Sequence, residues 1–314
     1  MLAWFCAGVT CWLTLQAFLT PWIGWPGDLA SHFLPQYTLF MLLAGVIMLL
    51  YQNIAGVMIV IPFLVWNLIN VAPYYIPVSM PLSLAEAKTL PKSLKVLQAN
   101  VLYVSDKPQA ALQLIEETKP DIAALQELTT PVAEILPQLT STYPYQLSFP
   151  REDAFGIAVV SRYPLTDVKI TPLGKLKLPM LIATVTVKGQ PVSLVVAHPI
   201  PPTSQSNYED RNLYLKALGN MIDQEQQNMV LMGDLNNTPW TPSFHQLLEE
   251  TGLHDSQMGF GVQPSWPSDG PFLQIPIDHV LVSQGVQIDS RRTVKISGSD
   301  HLAVVAELGF QITD

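Results

Sequence analysis

Carboxylates, carboxamides and histidines recur in this chain at the ends of short apolar runs. Asn100 closes LKVLQAN, Glu127 closes IAALQE, and His198 ends VVAH before PIPP. Asp234 and Asn236 follow VLMG in GDLN, Asp278 opens DHVLVS, and Asp300 and His301 stand in SDH before LAVVAEL. Carboxylates combined with carboxamides and no thiolates make a hard oxygen donor set, suited to Mg²⁺ or Mn²⁺. The only cysteines, Cys6 and Cys11, lie in an apolar leader, which excludes a thiolate zinc cluster and a disulfide framework from the rest of the chain.

Taken singly, each group has a plainer explanation. Asn100 reads as a turn residue, Glu127 as a loop or first-turn acid, GDLN as a turn, and His198 as a packed loop residue. His245, His254 and His279 read as structural. The weight lies in the ordered set, because turn chemistry alone does not place so many functional groups one after another at strand ends, where loops on a rigid scaffold carry sites.

Positioning that set requires a sheet. From residue 93 onward, short β-rich runs alternate with amphipathic stretches, which predicts an α/β or α+β domain. Strands are expected at 94–101, 122–125, 156–161, 181–187, 192–197, 229–232, 277–282, 286–288 and 303–308, and helices at about 106–118, 208–226 and 242–250. Residues 259–276, rich in Gly and Pro with Trp266 and Phe272 among them, form a long loop that lines a pocket, touches the membrane or is simply irregular surface.

The first quarter of the chain belongs to another solvent. The sequence carries 16 Lys and Arg against 25 Asp and Glu, yet residues 1–85 hold one of these charges, Asp28. Three membrane spans are expected, at about 1–20, 35–51 and 54–76, with Gln52 and Asn53 as the turn between the last two. Asn67 and Asn70 are expected to face other helices, and Trp22, Trp25, Tyr37, Tyr51, Tyr74 and Tyr75 to sit at the lipid boundary. A cleaved signal peptide is the competing reading of the first span, but no basic residue precedes it. No ionisable residue lies mid-span, which favours an anchor over a transporter. This gives residues 1–76 as a transmembrane segment, 77–92 as a linker and 93–314 as the soluble domain, whose acidic balance argues against non-specific gripping of a nucleic-acid backbone.

The set Asn100, Gln126-Glu127, SRYPL at 161–165, His198, GDLN at 233–236, Asp278 and SDH at 299–301 resembles the endonuclease/exonuclease/phosphatase superfamily, related to deoxyribonuclease I, across residues 93–310. The usual GDFN carries Leu235 here in place of Phe. The resemblance, closest in layout to bacterial membrane-anchored members, implies a four-layered α/β sandwich, two packed mixed sheets flanked by helices, preceded by the three-helix transmembrane segment. It implies a Mg²⁺-dependent (or Mn²⁺-dependent) hydrolase of phosphoric esters, with Asn100, Glu127 and Asp300 as metal ligands. His301 oriented by Asp278 would act as base or phosphate contact, Asp234 would position or deprotonate the attacking water, and Asn236 and His198 would donate to phosphoryl oxygens.

The expected partners are the bilayer, through three spans, and a phosphate ester: nucleic acid, phospholipid head group or small ester. No obligate protein partner is expected. Arg162 and Arg211 are candidates to reach a phosphate. The resemblance and the odd number of spans predict an extracytoplasmic catalytic domain on an inner or plasma membrane, although Lys88, Lys92 and Lys95 oppose it. The competing functional reading is a membrane-anchored binding or scaffold protein with a vestigial site.

Overall fold

The computed structural model describes residues 2–77, 94–187, 189–222, 228–270 and 272–310. The linker expected at 77–92, with Lys88 and Lys92, lies almost wholly outside the described residues.

The apolar N-terminal part folds into α1 (Leu2–Phe18), α2 (Thr20–Ile23), α3 (Trp25–Ser31), α4 (Leu34–Leu50) and α5 (Ile54–Val71), the last extended by one 3-10 turn to Tyr74. Asn53 caps α5 by accepting from the Gly56 N–H at 3.1 Å, and Gln52 takes a positive φ, so the polar pair does make the turn. The helix Ile54–Tyr74 is long and apolar enough to cross a membrane; α3 and α4 pass the same test together but are bent by 66°, and α1 is shorter. α1, α4 and α5 pack on one another through Ala7, Cys11, Met41, Ala44 and Val60. Asn67 is buried and donates to the Thr14 hydroxyl across the helices at 3.1 Å, whereas Asn70 bonds back to the Trp66 carbonyl of its own helix.

From residue 94 onward the strands are β1 (Leu94–Asn100), β2 (Ile122–Gln126), β3 (Tyr145–Phe149), β4 (Ile157–Ser161), β5 (Leu165–Leu173) and β6 (Leu178–Val187). They continue as β7 (Gln190–Ala197), β8 (Met229–Asp234), β9 (His254–Asp255), β10 (Asp278–Val282), β11 (Val286–Lys295) and β12 (Leu302–Phe310). One mixed sheet has the order β11-β12-β1-β2-β4-β3 and the other β5-β6-β7-β8-β10-β9. Helices α6 (Gln109–Thr118) and α7 (Thr130–Ile135) cover the first sheet, and α8 (Gln205–Gly219) and α9 (Pro242–Thr251) the second.

The inner faces of the two sheets meet in one apolar layer that includes Val96, Ile122, Val159, Leu181, Val196, Val230, Val280 and Val304. Strands β2, β4, β8 and β10 are buried along their full length, because helices cover the faces turned away from that layer. Such strands read as continuous apolar runs rather than alternating ones. These central strands are the expected ones; β3, β5 and the two-residue β9, which the sequence pattern does not mark, lie at the sheet edges and carry the polar residues that edges tolerate. α8 ends at Gly219, earlier than expected, and 223–227 fall outside the described residues.

Candidate active site

Strand register carries the functional groups to one rim. β1 and β2 run parallel with Asn100 opposite Gln126, so Glu127 leaves the sheet beside Asn100. β8 and β10 run antiparallel with Asp234 opposite Asp278. β12 is antiparallel to β1 and starts at Leu302, which delivers Asp300 and His301 to the same edge. Gly233 allows the close approach that this needs, since a Cβ there would run into the carbonyl of Ala197, the residue before His198. Glu127 and Asn236 adopt left-handed backbone angles, φ 58° and 49°. Such strain costs on the order of 1–3 kcal/mol and persists only where the surroundings impose it.

The side chains then interlock. The Asn100 amide nitrogen donates to Glu127 Oε1 at 2.9 Å and to Asp234 Oδ2 at 3.1 Å. The Tyr103 N–H donates to Glu127 Oε2 at 2.8 Å. Asp278 Oδ2 meets His301 Nδ1 at 2.8 Å, while Gln98, a residue that the sequence reading passed over, donates to Asp278 Oδ1 at 2.7 Å. The other ring nitrogen of His301 lies 3.7 Å from Asp234 Oδ2, and His198 Nε2 lies 3.6 Å from that oxygen on another side. The Trp266 indole N–H holds Asp300 Oδ2 at 2.9 Å, which ties the long loop to the rim. Asn236 lines the same cavity, but its amide nitrogen donates to the Pro199 carbonyl at 2.9 Å, leaving one N–H for a substrate.

Burial sets the proton affinities. It pushes Asp234 up, and the neighbouring Asp278 carboxylate pushes it further. Burial would also raise Asp278, but His301 and the hydrogen bonds from His301, Ser265 and Gln98 outweigh it and hold the carboxyl below its ordinary value. For His301, burial opposes the charge, and Asp278 and Asp234 overcome it and raise the imidazole well above its ordinary value. His198 goes the other way: burial, then the His301 charge, takes it down to about 3, so it is neutral at physiological pH. Glu127 is raised by burial, against the bonds from Tyr103 and Asn100.

Two expectations fail here. Arg162 lies at the opposite end of the sandwich, 3.6 Å from Asp121 at the start of β2 and 5.3 Å from the Tyr143 ring. Arg211 is fully buried and bound to Asp28 at 2.7 Å, so neither arginine is free to take a phosphate. The aromatic residues expected at a lipid boundary also divide: Trp25 donates to the Pro202 carbonyl at 2.7 Å, and Tyr74 packs edge-on against Trp240. His279 is structural as expected, buried with Nε2 2.8 Å from the Asn237 carbonyl.

The residues present fit a divalent cation. Glu127, Asp234, Asp278 and Asp300 crowd one rim against His198 and His301 and, among the described residues lining the cavity, no Lys or Arg. Burial first, and the Asp278 charge second, raise Asp234, and a cation bound beside it would offset both. Among the described residues, the tightest group of ligand-type atoms is Asp234, Asp278 and His301, within 4.8 Å of one another, although Asp278 and His301 are already hydrogen-bonded to each other.

The model of the Endonuclease/Exonuclease/phosphatase family matches residues 97–301, the stretch that contains every one of these groups. The chain belongs to this family. Solved structures share the fold. An endonuclease/exonuclease/phosphatase from Beutenbergia cavernae DSM 12333 is 23% identical, with a TM-score of 0.55 over 70% of this chain and 72% of that one. TDP2 of D. rerio, solved with a single-strand DNA product, is 18% identical with a TM-score of 0.58, over 69% of this chain and 99% of that one. Sphingomyelinase C from Streptomyces griseocarneus is 18% identical with a TM-score of 0.50, over 69% and 99%. No curated protein matches the sequence. This endonuclease/exonuclease/phosphatase family chain thus has a two-sheet sandwich in common with proteins of different kinds, one solved with a single-strand DNA product and one a sphingomyelinase.

Proposed function

We propose that this protein is a membrane-anchored, divalent-metal-dependent hydrolase of phosphoric esters. The observation that carries the reading is the convergence of Glu127, Asp234, His198 and the Asp278–His301 pair on one cavity, with His301 open to it. Glu127 and Asp300 would hold Mg²⁺ or Mn²⁺, which supplies charge neutralisation on the phosphoryl oxygens, while Asn100, expected as a third ligand, turns its amide nitrogen to Glu127 and Asp234 and would steady them. Asp234 is the acceptor for the proton of the attacking water, since its Oδ2 is central to Asn100, His198 and His301. The water oxygen bonds to phosphorus as the ester P–O bond breaks. His301, held charged by Asp278, donates to the phosphoryl group or to the departing oxygen.

Anchoring through α1, α4 and α5 is part of the proposal. Their outward faces present large apolar side chains, among them Phe5, Leu50, Met58 and Ile69, each at least 65% exposed. We place the catalytic domain outside the cytoplasm; an alkaline phosphatase fused to the C terminus is expected to be active, and an inactive fusion would reverse the sidedness.

The test of catalysis is hydrolysis of bis(p-nitrophenyl) phosphate by the full chain in detergent. Release of nitrophenolate is expected with Mg²⁺ or Mn²⁺ and not with chelator. Glu127→Gln should lose both this activity and the rise in Tm that millimolar metal gives the parent. Metal binding without hydrolysis of this or any phosphoester would favour a vestigial site instead.

A further inference from the structure

The cavity over the catalytic groups, about 610 Å³, is not bounded by the sandwich alone. Leu29 and His32 on one side, with Phe33, come from α3 and the turn that follows it. Ile200 and Pro201 from the loop after His198 and Phe155 from the loop before β4 complete an apolar collar above Glu127, Asp234 and His301. The residue after Phe33 is Leu34, the first of α4, so the collar continues directly into the apolar helices.

This wall is fastened in place. Asp28 of α3 pairs with Arg211 of α8 at 2.7 Å, and both side chains are essentially inaccessible to water. The same guanidinium donates to the Asn236 carbonyl at 3.2 Å, linking the fastening to the GDLN turn. His32 Nδ1 lies 3.1 Å from the Thr238 hydroxyl, and Gln36 of α4 donates to the Gln274 carbonyl at 2.8 Å. A buried ion pair is costly to desolvate and leaves an uncompensated charge if either partner moves away. The N-terminal helices are therefore held against the rim rather than trailing from it.

The contents of the cavity also argue against one class of ligand. A nucleic-acid backbone needs cations along its track. Among the described residues no Lys or Arg lines the cavity: Arg211 and Arg291 are buried, Arg151 pairs with Asp153 at 2.6 Å, Arg162 is at the far rim, and Arg292 is exposed on β11. Besides the catalytic groups, which suit one phosphate, the lining is mostly apolar, with His32, Tyr103, Thr203 and Asn207 as its other polar residues.

Resting on the hydrolase reading above, we infer that the substrate is a phosphoric ester bearing a hydrocarbon tail, a lipid phosphate whose phosphoryl group sits at His301 and whose first methylenes run along Leu29, Phe33 and Ile200 toward the bilayer. In this arrangement α3 is part of the binding site, and the anchor selects the substrate as well as locating the enzyme. On the anchoring proposed above, the leaflet that the outward faces of α1, α4 and α5 would contact is a source of such a ligand next to the apolar collar.

Two diesters with the same leaving group test this: methyl p-nitrophenyl phosphate and octyl p-nitrophenyl phosphate, below the micelle concentration of the octyl ester, with the full chain in dodecyl maltoside and Mn²⁺. Attack of water on phosphorus releases p-nitrophenolate from both, leaving methyl phosphate or octyl phosphate. Each methylene removed from water is worth roughly a factor of four, so kcat/KM for the octyl ester is expected to exceed that for the methyl ester by at least about ten-fold. Leu29→Ser with Phe33→Ser should bring that ratio close to one; because the ratio is taken within one preparation, partial misfolding cancels. Equal rates on the two esters, or a ratio that survives the double substitution, would overturn the tail site while leaving the hydrolase reading intact. No hydrolysis of either ester would remove the hydrolase reading and the tail site with it, and nicking of supercoiled plasmid at rates above the octyl ester would assign the cavity to nucleic acid.

Discussion

Two buried aspartates, Asp28 and Asp278, have almost the same surroundings on paper and different work to do. Each is about 1% exposed or less and each has a histidine beside it. The closest partner of Asp28 is a guanidinium, 2.7 Å away and sealed from solvent; the closest partner of Asp278 is an imidazole, 2.8 Å away, whose second nitrogen faces a cavity. A guanidinium does not give up its proton in a protein, so the first pair can only fasten. An imidazole can, so the second pair can do acid-base chemistry. A buried carboxylate alone is therefore no sign of a catalytic site; the protonation chemistry of its partner and that partner's access to substrate decide.

The largest way to break this comparison is Asp278→Asn. It should lower kcat by roughly 10³–10⁴-fold, as loss of the orienting acid does in hydrolase triads, with a small change in Tm. A large fall in Tm with the remaining folded protein fully active would put Asp278 in the same structural class as Asp28. The converse substitution, Asp28→Ala, strands Arg211 and should cost about 3–5 kcal/mol in denaturant unfolding of the full chain. Adding Arg211→Met to it should recover most of that loss, which a simple cavity effect would not do.

A smaller contrast lies between the two apolar regions. Leu125 in β2 is fully buried between layers, and Leu43 in α4 is about half exposed. Leu125→Ala should cost about 2–5 kcal/mol, whereas Leu43→Ala in detergent should stay within about 0.5 kcal/mol. Equal costs would mean that the outward face of α4 is covered by protein rather than by lipid.

The smallest expected effect is on pH dependence. His279 is buried, and burial lowers its affinity for protons, with Asp255, the Asn237 carbonyl and Asp278 opposing and Arg291 assisting. The unfolded chain therefore takes up a proton near pH 6.5 that the folded chain refuses, so this residue's contribution is present above about pH 6.5 and falls as the pH drops below it. Between pH 7 and pH 5 the parent should lose more stability than His279→Gln, by no more than about 1.4 kcal/mol per pH unit. An identical slope in the two proteins would show that the imidazole is not held neutral.

Much of the sandwich was legible because its central strands are buried on both faces and so appear as unbroken apolar runs. The groups at their ends were legible because GDLN, SDH and the isolated Glu127 interrupt those runs with chemistry that a core would not tolerate. The edge strands β3 and β5 were not, since their exposed polar positions look like loop. α3 was not, since WPGDLAS, with its Pro and Gly, has the composition of a turn, yet it is helix, packed on α1 and α2 and tied through Asp28 to Arg211.

By itself, the sequence determined the types and order of the reactive groups, the alternation of strand and helix after residue 93, and the separation of an apolar, almost uncharged segment from an acidic one. These are properties of local composition and period. Only the tertiary structure decided that Arg211 serves Asp28, that Arg162 stands at the far rim, that Gln98 orients Asp278, and that Leu29 and Phe33 wall the site. Asp28 and Arg211 are 183 residues apart in the chain. Short windows of sequence carry no record of such a pairing, because its free energy exists only after both groups have left water together.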